Sequence, residues 1–360
     1  MKTKLAILLL PLLVWSCSPK ETTTASDQTD TAAPTARGTG QPASASQFQF
    51  VPSPQCLERK QIEREALTLF TNKDYAGLDA LAARYRTSRE RYADGMWKLA
   101  YVYIGIEPSD EAPDSDWEAR LDQVTDWIHA RENSITPRVL KARLQVSYAW
   151  KIRGGGWAES VKETQWKKYF ERLQQAARTL RGANQLAERC PVYWSTWQRA
   201  ALGLQMERKD YDAIFAAATT EFPDYWYYYS TRAVFLLPRW YGEAGEWERD
   251  LTKSADHLGG VNGDMLYAQV AWSTQQYGSG INVFEGKQIS WERVHKGLEQ
   301  LLILYPDSVA ARNERVILAG LADDKPKAQA FLTELNKEAD PEIWNDREQL
   351  EQFVHWAEGN

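Results

Sequence analysis

The stretch that most restricts what this chain can fold into is Arg208 to Trp240, RKDYDAIFAAATTEFPDYWYYYSTRAVFLLPRW. It reads as a short helix, a Pro-Asp turn, and an aromatic-rich helix stopped by another proline. Such a hairpin cannot bury its apolar face alone and needs further hairpins stacked beside it. A counterpart lies upstream. NKDYAGLDALA, Asn72 to Ala82, matches RKDYDAIFAAA, Arg208 to Ala218, at Lys, Asp, Tyr, one aliphatic and two alanine positions.

Beyond Val51 the same helical period continues almost to the end, about fifteen helices in all, and no run alternates convincingly as a strand. Tyr75, Leu78, Ala82 and Tyr85 form one stripe, and Trp117, Leu121, Val124 and Ile128 form another. Trp166, Phe170, Leu173, Ala177 and Leu180 mark a longer helix of about 25 to 30 residues. Ser115 to Glu118 and Ser160 to Glu163 have the spacing of capping boxes, and Thr136 before Pro137 that of an N-cap. Pro191, Pro326 and Pro341 each open a further helical segment, and the glycines at 154 to 156 close one. Phe222-Pro-Asp recurs as Tyr305-Pro-Asp between helices. Tyr75 and Tyr211 are 136 positions apart, four times the tetratricopeptide period of about 34. The spacing between them is uneven. The expected fold is therefore all-α, an irregular tetratricopeptide-like α-solenoid of helical hairpins spanning 51–360.

The first sixteen residues have a secretory pattern, with Lys2 and Lys4 ahead of the apolar run Leu5 to Val14. Ten apolar residues are too few for a lasting bilayer span. VWSC, Val14 to Cys17, resembles a bacterial lipobox, with Trp15 where a small residue is usual. The resemblance implies cleavage after Ser16 and lipid attachment at Cys17, and Ser18 resembles the default for outer-membrane sorting. Residues 17–50 read as the lipidated cysteine and a disordered linker rich in Thr, Ser, Ala and Pro. The tether of about 28 residues would reach roughly 30 Å as a flexible coil. The expected address is the cell envelope, on the outer membrane facing the periplasm.

Sixteen Trp and seventeen Tyr call for dense helix packing or an aromatic binding surface. A net charge of −6 argues against nucleic acid as a partner. The four histidines lack ligand spacing, so neither a metal nor another cofactor is expected. No GxSxG, Walker or GxGxxG motif appears in a strand-to-helix setting. Glu159-Ser160 is the pair a lytic transglycosylase would use, but VKETQW follows it, and a helix cap explains the same residues. No catalytic residue is assigned and the chain is read as a non-enzyme. Cys56 and Cys190 are the thiols left after lipidation, and a disulfide between them requires a tightly closed superhelix. Tyr225 to Tyr229, YWYYY, covers every face of its helix, so its rings meet either a neighbouring helix or a ligand.

YAWKIRGGGWAESV, WKKYFERL and FLLPRW, with LDAL, GMWKL and LYAQVAW, are similar to segments of a bacterial family, the domain of unknown function 4034, built of tetratricopeptide-like helices. The similarity spans Leu78 to Trp272, with Tyr241 where it leads one to expect a glycine. That family has no assigned activity. A shared site would fall on Trp150, Arg153, Arg239 and Trp240, and Tyr229 joins them as a candidate from the aromatic run. The expected function is a scaffold that binds a protein or peptide partner in the envelope. An aromatic-lined groove for glycan or peptidoglycan is the alternative, and a peptidoglycan-active enzyme the last.

Overall fold

A computed structural model describes residues 48–92, 95–155, 158–277, 282–344 and 346–358. The leader, Cys17 and nearly all of the tether lie outside them. The described residues are 72% helical, with fifteen helices and almost no strand. Helix α1 (Pro54–Thr71) precedes six hairpins. These are α2 (Tyr75–Ser88) with α3 (Leu99–Ile104), α4 (Asp114–Ala130) with α5 (Ile135–Arg153), and α6 (Glu163–Ala183) with α7 (Pro191–Gly203). Then come α8 (Arg208–Glu221) with α9 (Tyr227–Phe235), α10 (Glu246–Leu258) with α11 (Gly260–Tyr277), and α12 (Trp291–Leu304) with α13 (Val309–Leu321). Helices α14 (Lys325–Glu334) and α15 (Arg347–Glu358) complete the array.

The two members of a hairpin have different jobs. Only Tyr211 and Ala218 are buried on α8, whereas eight of the nine residues of α9 are. Even-numbered helices such as α8 therefore form an outer layer with one packed stripe. Their odd-numbered partners, α3 to α13, are inner helices covered over most of their surface, as a continuously apolar or aromatic run requires.

The turns repeat as well. Lys73, Gln205 and Asp323 adopt φ of 54°, 56° and 56° where an odd-numbered helix hands over to the next even-numbered one. In each case the next residue's N–H reaches back into the helix: Asp74 to Leu69 O at 2.9 Å, Met206 to Ala201 O at 3.1 Å, Asp324 to Ala319 O at 2.9 Å. That is a Schellman closure, built here on non-glycine residues. In the opposite direction Phe222 (φ −137°, ψ 73°) and Tyr305 (φ −129°, ψ 70°) end their outer helices alike. Each precedes a proline, which keeps its predecessor out of the α region.

Several helix ends differ from the sequence expectation. α4 begins at Asp114, so Ser115 lies inside the helix and its hydroxyl turns to Asp116 rather than capping. Ser134, not Thr136, caps α5. Gln165 Oε1 accepts the Lys162 N–H in place of the Ser160 to Glu163 box, and α6 is 21 residues long rather than 25 to 30. Pro191 and Pro326 do open helices, but Pro341 sits in a turn before α15.

The array closes on itself. Gln49–Phe50 pairs in parallel with Glu338–Ala339, so the packed chain begins slightly before Val51. Trp344 Nε1 donates to Asn313 Oδ1 at 2.7 Å, seating the C-terminal segment on α13. In the middle, Trp97 Nε1 donates to Asp224 O at 3.2 Å, tying the loop before α3 to the start of α9. A cavity of about 50 Å³ lies between α1, α3, α9 and α11. Even so, Cys56 and Cys190 do not form a disulfide. Cys190 is free and buried at the N-cap of α7, its Sγ 3.3 Å from Tyr103 Oη, while Cys56 occupies the first turn of α1.

Candidate functional site

Helix α5 ends at Arg153 because Gly154 takes φ 72° and returns its N–H to Trp150 O and Lys151 O. Its last turn thus presents Trp150 and Arg153. After α9, Pro238 breaks the ladder, and the chain folds back with Trp240 N–H on Leu237 O (2.8 Å) and Tyr241 N–H on Phe235 O (3.1 Å). This compact turn carries Arg239 and Trp240. Gly242 completes it where a Cβ would fall 1.9 Å from Leu236 O.

Superhelical packing brings these two ends together. The rings of Trp150 and Trp240 meet edge to face, centroids 6.1 Å apart at 83°. Tyr169 of α6 packs on Trp150 at 5.3 Å and Trp166 on Tyr169 at 5.5 Å. Tyr277, the last residue of α11, accepts a hydrogen bond from Trp240 Nε1 at 2.9 Å. The Arg239 guanidinium lies over the Tyr277 ring at 4.4 Å, and that of Arg153 is 5.7 Å from Trp150 and 5.4 Å from Trp166. Arg153 is 4% exposed, while Trp150, Trp166, Arg239 and Trp240 are half-buried. Four of the five sequence candidates therefore form one cluster at the rim of the array.

Tyr229 does not join them. Its ring packs on Phe215 at 5.4 Å and its hydroxyl donates to Pro223 O at 2.9 Å, stapling the α8–α9 turn. The rest of the aromatic run is core as well: Tyr225, Trp226 and Tyr228 are buried, and only Tyr227 is partly open. Glu159 is exposed on a 3-10 turn. Conversely, Tyr277, Trp166 and Tyr169 belong to the cluster although nothing local marks them. Their one signal is position near a helix end, which many aromatics share.

The electrostatics of the cluster are unusual. Burial lowers the pKa of both Arg153 and Arg239, and the opposing influences come from tyrosine hydroxyls, Tyr169 and Tyr277 for Arg153 and Tyr277 for Arg239. Burial pushes Tyr277 up to about 12 against the pull of Arg239, the Trp240 hydrogen bond and Arg153. Tyr241 is also raised to about 12 by burial.

A larger polar groove of about 590 Å³ lies nearby between α4, α5 and α6. Two of its carboxylates already hold a cation, Asp114 with Lys151 at 2.5 Å and Glu118 with Arg172. Among the described residues no group of three His, Cys, Asp or Glu could hold a metal, and no helix is long and apolar enough to cross a membrane. No protein-family model, curated protein or solved structure matches the chain.

Proposed function

We propose that this chain is a cell-envelope lipoprotein, held at the outer membrane through Cys17, whose helical-repeat body binds a protein or peptide ligand and catalyses nothing. The carrying observation is the rim cluster: half-exposed Trp150 and Trp240 rings set edge to face beside two arginines that have no acidic partner among the described residues. Flat aromatic faces with a few convergent polar donors are the usual make-up of a ligand site. The leader, the VWSC segment and the polar tether favour the envelope address. Likeness to the tetratricopeptide-like family bears on scaffold and not on chemistry.

Glycan binding is a second reading, favoured by the partly open Trp faces, which suit sugar rings as well as peptide side chains. Crosslinking of the full chain in its native membranes, followed by recovery under denaturing conditions, tests the proposal. A partner recovered with the natural chain and lost with Trp150→Ala/Trp240→Ala supports it. Recovery of no stable protein or peptide partner overturns it, and retention of peptidoglycan fragments in its place transfers the site to the second reading. Loss of palmitate labelling in Cys17→Ser checks the anchor.

A further inference from the structure

Among the described residues five arginines are deeply buried: Arg59, Arg143, Arg153, Arg232 and Arg315. Four of them have carboxylate partners. Arg59 pairs with Glu342, Arg143 with Glu107, Arg232 with Asp212 and Asp250, and Arg315 with Glu299 and Glu334. Arg153 is the exception; its Nη1 donates to Gly154 O at 2.8 Å, and its buried Nη2 donates to nothing among the described residues. Arg239, on the facing turn, likewise has Nε and Nη2 buried and without a partner among the described residues. The chain that follows offers no help, since no acidic residue appears after Arg153 until Glu159 or after Tyr277 until Glu285. Among the described residues the fold pairs four of these five guanidinium groups, and leaves Arg153, with Arg239 on the facing turn and Arg199 further in on α7, without an anion.

The geometry points to a carboxylate of a peptide ligand, either its C-terminal group or an acidic side chain, bound between Arg153 and Arg239; this rests on the peptide-binding reading of the same rim. The free Nε and Nη2 of Arg239 are the side-on fork that matches the two oxygens of a planar carboxylate. Stacking on Tyr277 at 4.4 Å fixes the plane of that fork. The Nη2 of Arg153 supplies a third donor, and Trp150 with Trp240 offers an apolar face for the side chain next to the anion. Burying an unpaired charged donor is costly, so the site is arranged to be completed from outside.

The probe is N-acetylphenylalanine, compared with its carboxamide and with inorganic phosphate, titrated into the full chain and followed by tryptophan fluorescence. The acid is expected to saturate the site with an affinity at least about tenfold above the amide, because the amide offers only one acceptor and no charge. Arg239→Lys keeps the charge but loses the fork, and is expected to lose about tenfold toward the acid with the amide unchanged. Arg153→Gln should do the same; if it fails to fold, as read by far-UV circular dichroism, the half-exposed Arg239→Lys decides. Equal affinity for acid and amide, phosphate binding tighter than the acid, or undiminished acid binding in Arg239→Lys overturns the inference. A partner captured through Trp150 and Trp240, with no acid binding, sinks the carboxylate and spares the peptide reading. No captured partner and no bound probe sinks both.

Discussion

Arg59 and Glu342, separated by 283 positions in the chain, form a 3.1 Å ion pair whose side chains are 1% and 4% exposed. The Arg59 guanidinium also lies 5.0 Å from the centroid of Tyr92 and 5.2 Å from that of Tyr101. The first helix and the segment before the last are thus joined through a desolvated charge pair walled by aromatic rings. This contact, with the short β pairing beside it, turns a linear stack of hairpins into a closed one.

Breaking that pair from one side should therefore be expensive. Glu342→Gln removes the carboxylate and leaves the Arg59 charge buried, a change that typically costs about 3–5 kcal/mol. Arg59→Met/Glu342→Met removes both charges and should recover most of that loss. Urea unfolding measures both, and a Glu342→Gln variant as stable as the natural chain would mean that the ion pair does not hold the closure.

Much of this architecture is legible locally. The stripes through Tyr75 and Tyr211 pack as their spacing requires, Tyr75 stacking on Trp127 and Tyr211 on Phe235. Phe222 and Tyr305 make the same turn, and a proline follows each. Helix ends are less legible where acceptors compete. Ser134 and Thr136 are two residues apart, and it is the first whose hydroxyl accepts the N–H of the second and caps α5. Closure leaves almost no pattern, since its strands are two residues long each. At the rim, Trp150, Arg153, Arg239 and Trp240 stand out as bulky residues at helix breaks, whereas Tyr277 enters only because superhelical packing carries the end of α11 to the end of α5. No window of local sequence contains that encounter.

The glycine of the Leu236–Gly242 turn is set by space. A methyl group at Gly242 would meet the Leu236 carbonyl oxygen at 1.9 Å and its carbon at 2.4 Å, backbone atoms that cannot rotate away. Gly242→Ala should cost about 1–3 kcal/mol by overpacking, and should shift Arg239 and Trp240 with the turn. Thermal melting reads the first effect. Tryptophan emission, sensitive to the Trp240–Tyr277 hydrogen bond, reads the second.

Cys190 is 2% exposed and its sulfur touches the hydroxyl of Tyr103, whose pKa burial holds well above the ordinary phenol. The thiol should be inert to iodoacetamide in the folded chain and react fully in denaturant. Peptide mapping of the alkylated residue distinguishes it from other cysteines. Rapid modification of Cys190 under native conditions would contradict its place beneath α7.

His295 stacks on Trp291 at 5.5 Å and faces Glu299, Lys327, Arg315 and Asp324. Burial lowers its pKa despite Glu299. The unfolded chain therefore takes up this proton at higher pH than the folded one. The associated stability is complete above the unfolded value of about 6.5 and declines as pH falls below it. Urea midpoints at pH 7.5, 6 and 5 should fall for the natural chain, and the fall should be smaller for His295→Gln. Parallel lines for the two would remove His295 as the source.

Arg199 on α7 is the last test of whether the inner arginines serve folding or binding. It lies beside Arg143, which already holds Glu107 at 2.5 Å, and it makes no hydrogen bond or ion pair of its own among the described residues. Desolvation first, and then Arg143, push its pKa down to about 10 against Glu107, Asp110 and Tyr169. Tyr169 in turn sits between Arg153 and Arg199 electrostatically, so the basic rim extends one helix inward. A charge in this position adds little to stability, and replacing such groups with apolar side chains of similar volume is often neutral or stabilising by about 1–4 kcal/mol. Arg199→Met should accordingly leave the urea midpoint unchanged or raise it. If Arg199 contributes to anion attraction, the same variant should weaken N-acetylphenylalanine binding, with a smaller effect than Arg239→Lys because it stands behind Tyr169. A strongly destabilised Arg199→Met would instead place the guanidinium among the groups that hold α7 to α5.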